Sequence, residues 1–446
     1  MLAIFDTVDD ATRQLLRSLE VAGIPFTPLV IQYNGELPEG ALSPFASYTG
    51  LELTGEPLFF DEVPIPRWCE IRQGRQSYAE VLRDGLLIGR IHYEANSFRQ
   101  VERVDWLMPD GTLGHTDRYD RYGNRYATSY FTGGVAYQTV YRGPGEWEIE
   151  VDHATRIVTM RSPQRLVTFA TLTDFVSHFI SEQRLDDSSA LINSLSHPLF
   201  VMRRRAARPN TTLFWQEPMP GLPPENMMVE LEQPKALRRI VFADESLLEK
   251  VAAAYPGTAL DLAYLSPLGQ FVDKPDYDAR RVFTLTNSDD LPWLAELLEA
   301  FPDVTFSVAA LTLMSEKLHA LGRRFRNLVL LPSATRRRVL EELEKASVYL
   351  DINAGAQVLD VVAAAYHLNL VVLASGQHAK AQDYECVLPT ADELKEQLAA
   401  IVASPEGRAR TLDRLHTQRG PLSTAEDYRR LLRPRGADDP RGGGTA

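Results

Sequence analysis

The sequence predicts an α/β protein of two Rossmann-type domains, the first of which is interrupted by an antiparallel β-meander. Three observations support this fold class. The chain opens with a strand, a helix and a second strand; turn signals recur regularly between residues 101 and 160; and strands alternate one by one with helices from 282 to 374. With 446 residues, the chain is also too long for one compact core.

The first domain is expected to begin at residue 1 and to be split by the insertion. A strand at Leu2–Phe5, a helix at about 9–22 and a strand at 26–31 follow one another at the spacing of a doubly wound fold. We therefore assign residues 1–47 to the first part of this domain.

Residues 48–164 are predicted to form the antiparallel insertion. Short stretches rich in Tyr, Thr, Val and Phe, such as 125–131 and 135–141, lie between turns. The turns contain Gly, Asn, Asp or Pro and lie at 109–111, 122–124, 133–134, 143–145 and 152–153. This regular spacing, which has no helical period, is typical of a meander.

Helix–strand alternation returns in residues 165–275, which we assign to the second part of the first domain. Helices are expected at Leu172–Glu182 and Glu245–Ala254. Apolar runs lie between these helices, at 199–202, 212–215, 227–231 and 239–242. The stretch 264–277 is rich in Pro, Gly and Asp, which predicts an interdomain linker.

Residues 276–405 carry the clearest pattern and are assigned to the second Rossmann-like domain. Strands are predicted at 282–285, 304–309, Leu328–Leu331, 348–352 and 370–374. Helices are predicted at 291–300, 314–321, 335–346, 357–366 and 392–403. Such alternation predicts a parallel sheet with right-handed crossovers. Within 406–446, a helix at Ala425–Leu432 is expected to pack back on the first domain, and the tail 433–446 to be disordered.

Charge and composition exclude several classes of protein. The net charge of −13 disfavours nucleic-acid binding, and the basic runs at 203–205 and 336–338 are interpreted as solvated faces. Two cysteines, Cys69 and Cys386, fit a reducing compartment. Because no cluster has metal-ligand spacing and no Gly-x-Gly-x-x-Gly occurs, neither a metal nor a cofactor is expected. The acidic start and the lack of a long apolar stretch predict a cytoplasmic protein.

Two facing Rossmann-type domains, as in glycosyltransferases of the GT-B type, place the carboxyl ends of both sheets on a shared cleft. A nucleotide-sugar enzyme needs cations aimed at the diphosphate, yet residues 284–301 contain no Lys or Arg and include Asp289 and Asp290. The two glutamates that hold the donor in active retaining enzymes correspond to Ala354 and Val362, whose side chains cannot bind a hydroxyl. No catalytic residue is therefore predicted.

Six segments along the chain share their sequence pattern with one known family. They are 4–6 (IFD), 104–107 (VDWL), 119–126 (YDRYGNRY), 283–290 (FTLTNSDD), 306–318 (FSVAALTLMSEKL) and 349–355 (YLDINAG). From residue 1 to about 405, the chain resembles the GtfB-type glycosylation chaperone subunit of the accessory Sec system.

The resemblance implies a non-catalytic subunit that stabilises an active O-linked N-acetylglucosaminyltransferase, which itself uses UDP-GlcNAc. It further implies that the subunit binds a Ser/Thr-rich repeat adhesin and pairs through its β-sheet insertion in a heterotetramer. Such a complex would lie in the cytoplasm or at the cytoplasmic face of the membrane.

Polar residues after two strands of the second domain are the predicted acceptor-binding site. They are Thr286, Asn287, Ser288 and Asp289 after one strand, and Asn353, Gly355 and Gln357 after the other. Amide and hydroxyl groups are suited to hydrogen-bonding a Ser/Thr-rich polypeptide. The alternative is that Ser288 or Asp289, and Asn353, only cap the helices that follow.

The aromatic residues of the meander predict its partner surface. Together with one arginine, these residues are Trp106, Tyr119, Tyr122, Arg125, Tyr126 and Tyr130. Exposed aromatic residues on a sheet are frequent anchors of association. The alternative is that the tyrosines fill the interior of a curled sheet. Two other functions stay open: a self-sufficient retaining GT-B glycosyltransferase with an atypical donor site, and a scaffold with no ligand in the cleft.

Overall fold

The computed structural model describes residues 1–74, 77–94, 97, 99–205, 209–272, 278, 280–381 and 384–432. The chain forms two compact units. The first contains Met1–Ala243, Leu247–Leu265 and the C-terminal helix, and the second contains Asp244–Ser246 and Ser266–Thr424. None of the described helices combines the length and the hydropathy of a bilayer-spanning segment.

The first unit opens with β1 (Leu2–Phe5), α1 (Asp10–Val21), β2 (Thr27–Val30) and α2 (Pro44–Thr49). Helix α1 begins where it does because the carboxylate of Asp9 accepts the backbone N–H of Thr12 at 2.7 Å. Its apolar side chains recur on one face, where Leu15 and Leu19 are buried. All four residues of β1 are buried, as expected for an interior parallel strand.

An antiparallel sheet of ten strands follows, and each strand pairs with its neighbours in sequence. The strands are β3 (Cys69–Gln73), β4 (Tyr78–Arg83), β5 (Leu86–Tyr93), β6 (Val101–Leu107), β7 (Leu113–Tyr119), β8 (Arg125–Thr132), β9 (Val135–Tyr141), β10 (Glu148–Asp152), β11 (Val158–Arg161) and β12 (Leu166–Phe169). Gly133 and Gly134 join β8 to β9. Their φ values of 58° and 78° are those that a two-residue type I′ turn requires.

The two halves of this antiparallel sheet pack against different partners. In the C-terminal half, Ile149, Val158 and Met160 belong to the core of the first unit. In the N-terminal half, Val81 and Val104 belong to a separate cluster, which the residues of the 58–65 segment cover. The insertion is thus anchored on the first unit through its last strands.

The rest of the first unit contains α3 (Leu172–Glu182), β13 (Ala190–Ile192), α4 (His197–Arg205), β14 (Thr211–Trp215), α5 (Glu225–Glu232), β15 (Leu237–Phe242), all but the first two residues of α6 (Glu245–Ala254), and β16 (Asp261–Tyr264). The parallel sheet has the order β16-β15-β14-β13-β1-β2. Strand β1 therefore lies between β2 and β13, and the antiparallel sheet is inserted between those two flanking strands in sequence.

The second unit contains β17 (Arg281–Thr286), α7 (Leu294–Ala300), β18 (Thr305–Ala310), α8 (Glu316–Arg324), β19 (Leu328–Leu331), α9 (Arg336–Lys345), β20 (Val348–Asp351), α10 (Val361–His367), β21 (Val371–Ser375), β22 (Cys386–Leu388), α11 (Ala391–Ala403) and α12 (Pro405–His416). Its six parallel strands have the order β19-β18-β17-β20-β21-β22. Successive residues of β20 enter different clusters, since Leu350 lies in one and Tyr349 in the other. Apolar side chains therefore cover both faces of the sheet.

The last described helix, α13 (Ala425–Leu432), returns to the first unit. Tyr428 is fully buried with its ring centroid 6.2 Å from that of Phe214, and Arg429 donates to the carbonyl of Ala22 at 3.3 Å. Ser266 and Ser423 exchange two hydrogen bonds, in which each backbone N–H donates to the other hydroxyl, at 2.9 and 2.6 Å. The expected packing of this helix on the first domain is confirmed.

The predicted fold class is confirmed, with two parallel sheets and one antiparallel sheet. Helices α3, α6 and α13 and strands β1 and β19 have the predicted bounds. The apolar runs at 199–202 and 227–231 lie within the helices α4 and α5. Strands β13 and β22 and helix α12 were missed.

The observed elements also differ from the predicted domain limits. The strands of the antiparallel sheet run from Cys69 to Phe169, whereas the predicted insertion spans 48–164. Helix α12 belongs to the second unit, although the predicted limit of that domain is residue 405. The predicted limit at 275 and the tail 433–446 lie outside the described residues.

Candidate functional site

The predicted acceptor-binding loops meet at the carboxyl edge of the second parallel sheet. Strands β17 and β20 are neighbours, and both end at this edge. The hydroxyl of Thr286, the last residue of β17, lies 2.9 Å from Oδ1 of Asn353, which follows β20. The same hydroxyl accepts the N–H of Ser288 at 3.0 Å and lies 2.7 Å from its carbonyl oxygen. These contacts join the two loops to each other.

Asn353 is the centre of this arrangement. Its amide group donates to Oδ1 of Asn287 and to the carbonyl of Ala356, both at 3.1 Å, and its Oδ1 accepts the N–H of Gly355 at 3.0 Å. A Cβ on Gly355 would lie 2.0 Å from Oδ1 of Asn287, so a larger residue there would displace the Asn287 side chain. With the contact to Thr286, both donors and both acceptor positions of the buried Asn353 side chain are used.

The alternative that these residues cap helices is wrong. Helix α7 is preceded by Trp293 and α10 by Asp360, and neither position has a side-chain cap hydrogen bond. The hydroxyl of Ser288 instead accepts an N–H within its own loop at 3.0 Å. Thr286, Asn353 and Gly355 therefore form a framework, while Asn287 and Asp289 are exposed and Ser288 and Gln357 are half-buried.

Lys380 supplies a cation at this edge that the sequence reading missed. Its ammonium donates at 2.8 Å to each of three oxygens: Oδ1 of Asp351 and the carbonyls of Asn353 and His378. The side chain is only 13% exposed. Because an ammonium has three donors, none of them is left for a phosphate.

A second acidic residue at this edge, Glu385, holds a proton and therefore adds no further negative charge. Glu385 is buried and accepts the backbone N–H groups of Lys380 and Ala381, both at 3.0 Å. Burial, together with the neighbouring Asp351, raises the pKa of Glu385 to about 8. Of the two positions of the donor-binding glutamates, Val362 is fully buried in the core and Ala354 is exposed.

The two basic runs are largely paired with carboxylates. In the first, Arg203, Arg204 and Arg205 form ion pairs with Glu230, Asp174 and Asp187. In the second, Arg337 and Arg338 pair with glutamates of their own helix. In the part of the chain that the structure describes, no group of three His, Cys, Asp or Glu side chains could hold a metal ion.

An aromatic row crosses four strands of the antiparallel sheet. The rings of Trp106, His115, Tyr130 and Tyr137 follow one another with centroid distances of 6.1, 5.9 and 6.4 Å. The indole N–H of Trp106 donates to Oδ2 of the buried Asp117 at 3.0 Å, which orients the ring. Trp106, His115 and Tyr130 are half-buried and Tyr137 is 45% exposed, so the row lies at the surface of the unit.

The other predicted partner residues have different positions. Tyr119 and Tyr126 are buried, and together with Tyr122 they line a cavity of about 690 Å³ within the first unit. The expectation that Tyr119 and Tyr126 are exposed anchors is therefore wrong, and for these two the interior alternative holds. Arg125 is exposed and lies 3.4 Å from Asp117, at the end of the aromatic row. His115 belongs to the row but was missed, because a single histidine between strand residues gives no distinctive pattern.

The two Rossmann-type sheets define the class of protein, which is a chain of the GT-B type. At the carboxyl edge of its second parallel sheet, the charge of Lys380 is neutralised by Asp351 of the same chain. Four family models match the chain: the GtfB N-terminal domain at residues 2–48, the GtfB middle domain at 69–170, the GtfB third domain at 172–253 and the GftB/GlyA-F C-terminal domain at 282–414. The chain belongs to the GtfB family.

Individual relatives agree with this assignment. The chain is 33% identical over 382 residues, 84% of each chain, to the UDP-N-acetylglucosamine–peptide N-acetylglucosaminyltransferase stabilizing protein GtfB of Streptococcus gordonii. It is 29% identical to the protein of the same name from Streptococcus pneumoniae serotype 4, over 97% of this chain and 98% of that one.

Solved structures show the same fold. A chain in the crystal structure of the GtfA/B complex bound to UDP and GlcNAc matches with a TM-score of 0.86 and 29% identity, over 97% of this chain and 99% of that one. The pneumococcal O-GlcNAc transferase GtfA, in complex with UDP and GlcNAc, matches with a TM-score of 0.55 and 12% identity, over 97% and 98%. This second likeness concerns the fold alone.

Proposed function

We propose that this chain is the non-catalytic subunit that stabilises an O-linked N-acetylglucosaminyltransferase and binds the Ser/Thr-rich adhesin polypeptide that the transferase modifies. The names of its relatives as stabilizing proteins support the first role. The observation that carries the non-catalytic assignment is the saturation of Lys380 by three oxygens, since a diphosphate would have to displace them.

The aromatic row is the proposed surface for the transferase. Large rings that are held in place and partly exposed give an interface its strongest anchors, because they bury much area with little loss of side-chain entropy. Trp106 and Tyr130 lie within the row, and Arg125 extends it at one end. The complex is proposed to be a heterotetramer in the cytoplasm, either free or held at the cytoplasmic face of the membrane.

For the acceptor polypeptide, the second unit offers the accessible members of the predicted loops. Asn287, Ser288, Asp289 and Gln357 have exposed or half-exposed side chains with amide, hydroxyl or carboxylate groups. The framework residues beneath them keep these loops in one conformation, which limits the entropy that is lost on binding.

Pairing is tested with Trp106→Ala in the full chain, mixed with a catalytic O-linked N-acetylglucosaminyltransferase subunit of the GtfA type. We expect about tenfold or greater weakening of the complex, measured by analytical ultracentrifugation, because a central tryptophan anchor is removed. Trp68→Ala is the matched control, since Trp68 is 90% exposed and lies outside the row. Equal affinity of the wild type and Trp106→Ala would exclude the row as the pairing surface.

Catalysis is tested with the isolated chain and UDP-GlcNAc. The proposal expects neither tight nucleotide binding in a calorimetric titration nor release of UDP over hours. Turnover by the isolated chain would instead establish the self-sufficient glycosyltransferase as the function.

A further inference from the structure

Polar residues follow four neighbouring strands at the carboxyl edge of the first parallel sheet. Asp6 follows β1, Gln32 comes after β2, Asn193 follows β13 and Gln216 follows β14. In this sheet, β2 lies on one side of β1, whereas β13 to β16 lie on the other side of β1. The topological switch point therefore lies between β1 and β13, and ligands of open α/β sheets bind outside the carboxyl ends at such a point.

Asp6 is a charged acceptor at this switch point. Its Oδ1 accepts the amide N–H of Gln32 at 2.8 Å and lies 3.3 Å from Nδ1 of His197, and its Oδ2 accepts the hydroxyl of Ser196. Burial alone would raise the pKa of Asp6, but the hydrogen bonds from His197, Ser196 and Gln32 outweigh it and lower the pKa. The side chain remains 20% exposed.

His197 presents a second acceptor. When Nδ1 donates to Asp6, the neutral imidazole carries its acceptor lone pair on Nε2. Nε2 makes no hydrogen bond to any residue that the structure describes, and the side chain is 39% exposed. The nearby hydroxyl of Ser196 is bonded to Asp6 instead of the imidazole, so this cluster is not a nucleophile–base pair.

The surroundings hold this edge in place and add a further acceptor. Asn193 donates to the hydroxyl of Thr12 and Gln216 to the carbonyl of Ala11, both at 3.0 Å, which secures the first turn of α1 beside the edge. The side-chain oxygen of Gln216 is buried and has no hydrogen-bond partner among the described residues. Asp6 and His197 are therefore the acceptors that a ligand at this edge can reach, since the oxygen of Gln216 is buried.

We propose that this switch-point edge binds a hydroxyl-bearing ligand, whose O–H groups donate to Asp6 and to Nε2 of His197. The ligand is the Ser/Thr-rich acceptor polypeptide, so the inference rests on the proposed function and names a second place where the polypeptide is held. Serine and threonine hydroxyls are donors without charge, which suits an edge that offers acceptors and one negative charge. Sugar hydroxyls have the same chemistry, and the experiment must separate the two sources.

The experiment titrates the full chain with three probes: an unglycosylated Ser/Thr-rich repeat polypeptide, the same polypeptide with alanine at every Ser and Thr, and free N-acetylglucosamine. The variants are Asp6→Asn, which removes the charge, and His197→Phe, which keeps the ring and removes the nitrogens. His319→Phe, on α8 of the second unit, is the matched control. Thermal unfolding of each variant shows that it is folded.

We expect Asp6→Asn and His197→Phe each to weaken polypeptide binding about fivefold to tenfold, the effect of losing one hydrogen bond to a ligand. His319→Phe should leave the affinity unchanged, and the alanine polypeptide should bind no better to the wild type than to either variant. Unchanged polypeptide affinity in a folded His197→Phe variant overturns the site but leaves the proposed function intact. Loss of N-acetylglucosamine binding alone overturns the assignment to polypeptide. A wild-type chain that pairs with the transferase and binds no polypeptide overturns both.

Discussion

The carboxyl edges of the two parallel sheets carry similar side chains but use them differently. At the second sheet, Thr286 and Asn353 form hydrogen bonds with each other and within their own loops. All three donors of the Lys380 ammonium are bound by oxygens of the protein. At the first sheet, Asp6 is equally well supported, yet the outer nitrogen of His197 is left unpaired within the described chain. Polar residues after parallel strands therefore indicate a ligand site only where some of their donors or acceptors remain unused.

The difference between the two edges depends most on the buried Lys380, so the largest effect is expected from Lys380→Met. The variant leaves Asp351 as an unpaired charge beside Glu385, inside a nearly closed edge. We expect the free energy of unfolding of the second unit to fall by about 3–5 kcal/mol, as for other broken buried ion pairs. Hydrogen exchange of β20 and β21 would measure the loss, and exchange of β13 and β14 should change far less.

Lys395→Met is the matched control, because Lys395 pairs with Glu296 and Asp392 at the surface of the same unit. Exposed ion pairs contribute little to stability, so exchange should stay close to that of the wild type. If Lys380→Met were as stable as this control, the second edge would be less closed than its contacts indicate.

The next effect is a loss of stability between pH 5 and 9 at the second edge, a range in which the lowered pKa of Asp6 at the first edge has no effect. The folded pKa of Glu385 is about 8, above its ordinary value of 4.5, so between these pH values the folded chain holds a proton that the unfolded chain has lost. The stabilising effect is complete below pH 4.5, falls by about 1.4 kcal/mol for each pH unit above that value, and is lost as pH rises through 8. Urea unfolding followed at Trp293, between pH 5 and 9, would measure this slope.

Glu385→Gln retains a neutral group of the same shape and should flatten that slope. Its amide oxygen can still accept the N–H groups of Lys380 and Ala381. A slope that is unchanged in this variant would mean that another group is responsible.

Asn353→Ala is expected to have a smaller effect on stability. It distinguishes the two edges most clearly, because it should weaken the second edge and leave binding at the first edge unchanged. The variant removes the partner of the N–H of Gly355 and one of the contacts of the Thr286 hydroxyl, which should cost about 2 kcal/mol of stability in the second unit. Polypeptide contacts at the first edge should persist, so His197→Phe should weaken binding by the same factor in this background. Gln357→Ala, on the same turn, is the control and should be as stable as the wild type.

The sequence was sufficient for elements with a strong local signal. Helix α3 was predicted at its observed bounds because Thr171 caps it by accepting the N–H of Asp174 and because its apolar face recurs regularly. Strand β13 has only three residues, too few for any period to be seen. Helix α12 lies against α11 at Gly407, where a Cβ would lie 2.0 Å from the carbonyl of Ala400, a contact that no local pattern reveals.

The candidate sites were predictable only in part. The meeting of Thr286 and Asn353 follows from topology, since adjacent parallel strands end at one edge, but their mutual hydrogen bonds depend on atomic positions. The burial of Tyr119 and Tyr126 cannot be predicted from alternation along the strands, because the pairing of β7 with β8 has a bulge after Arg118 that shifts the alternation of side chains. A period of two cannot be continued across such an extra residue.

The return of α13 to the first unit also affects how the chain is made. On the ribosome, Phe214 and its neighbours emerge long before Tyr428, because everything from Ser266 to Thr424 is synthesised in between. At about 5–20 residues per second, the first unit waits on the order of ten to thirty seconds for its last helix. During that interval an apolar face is uncovered, so nascent chains are open to premature association until translation nears its end.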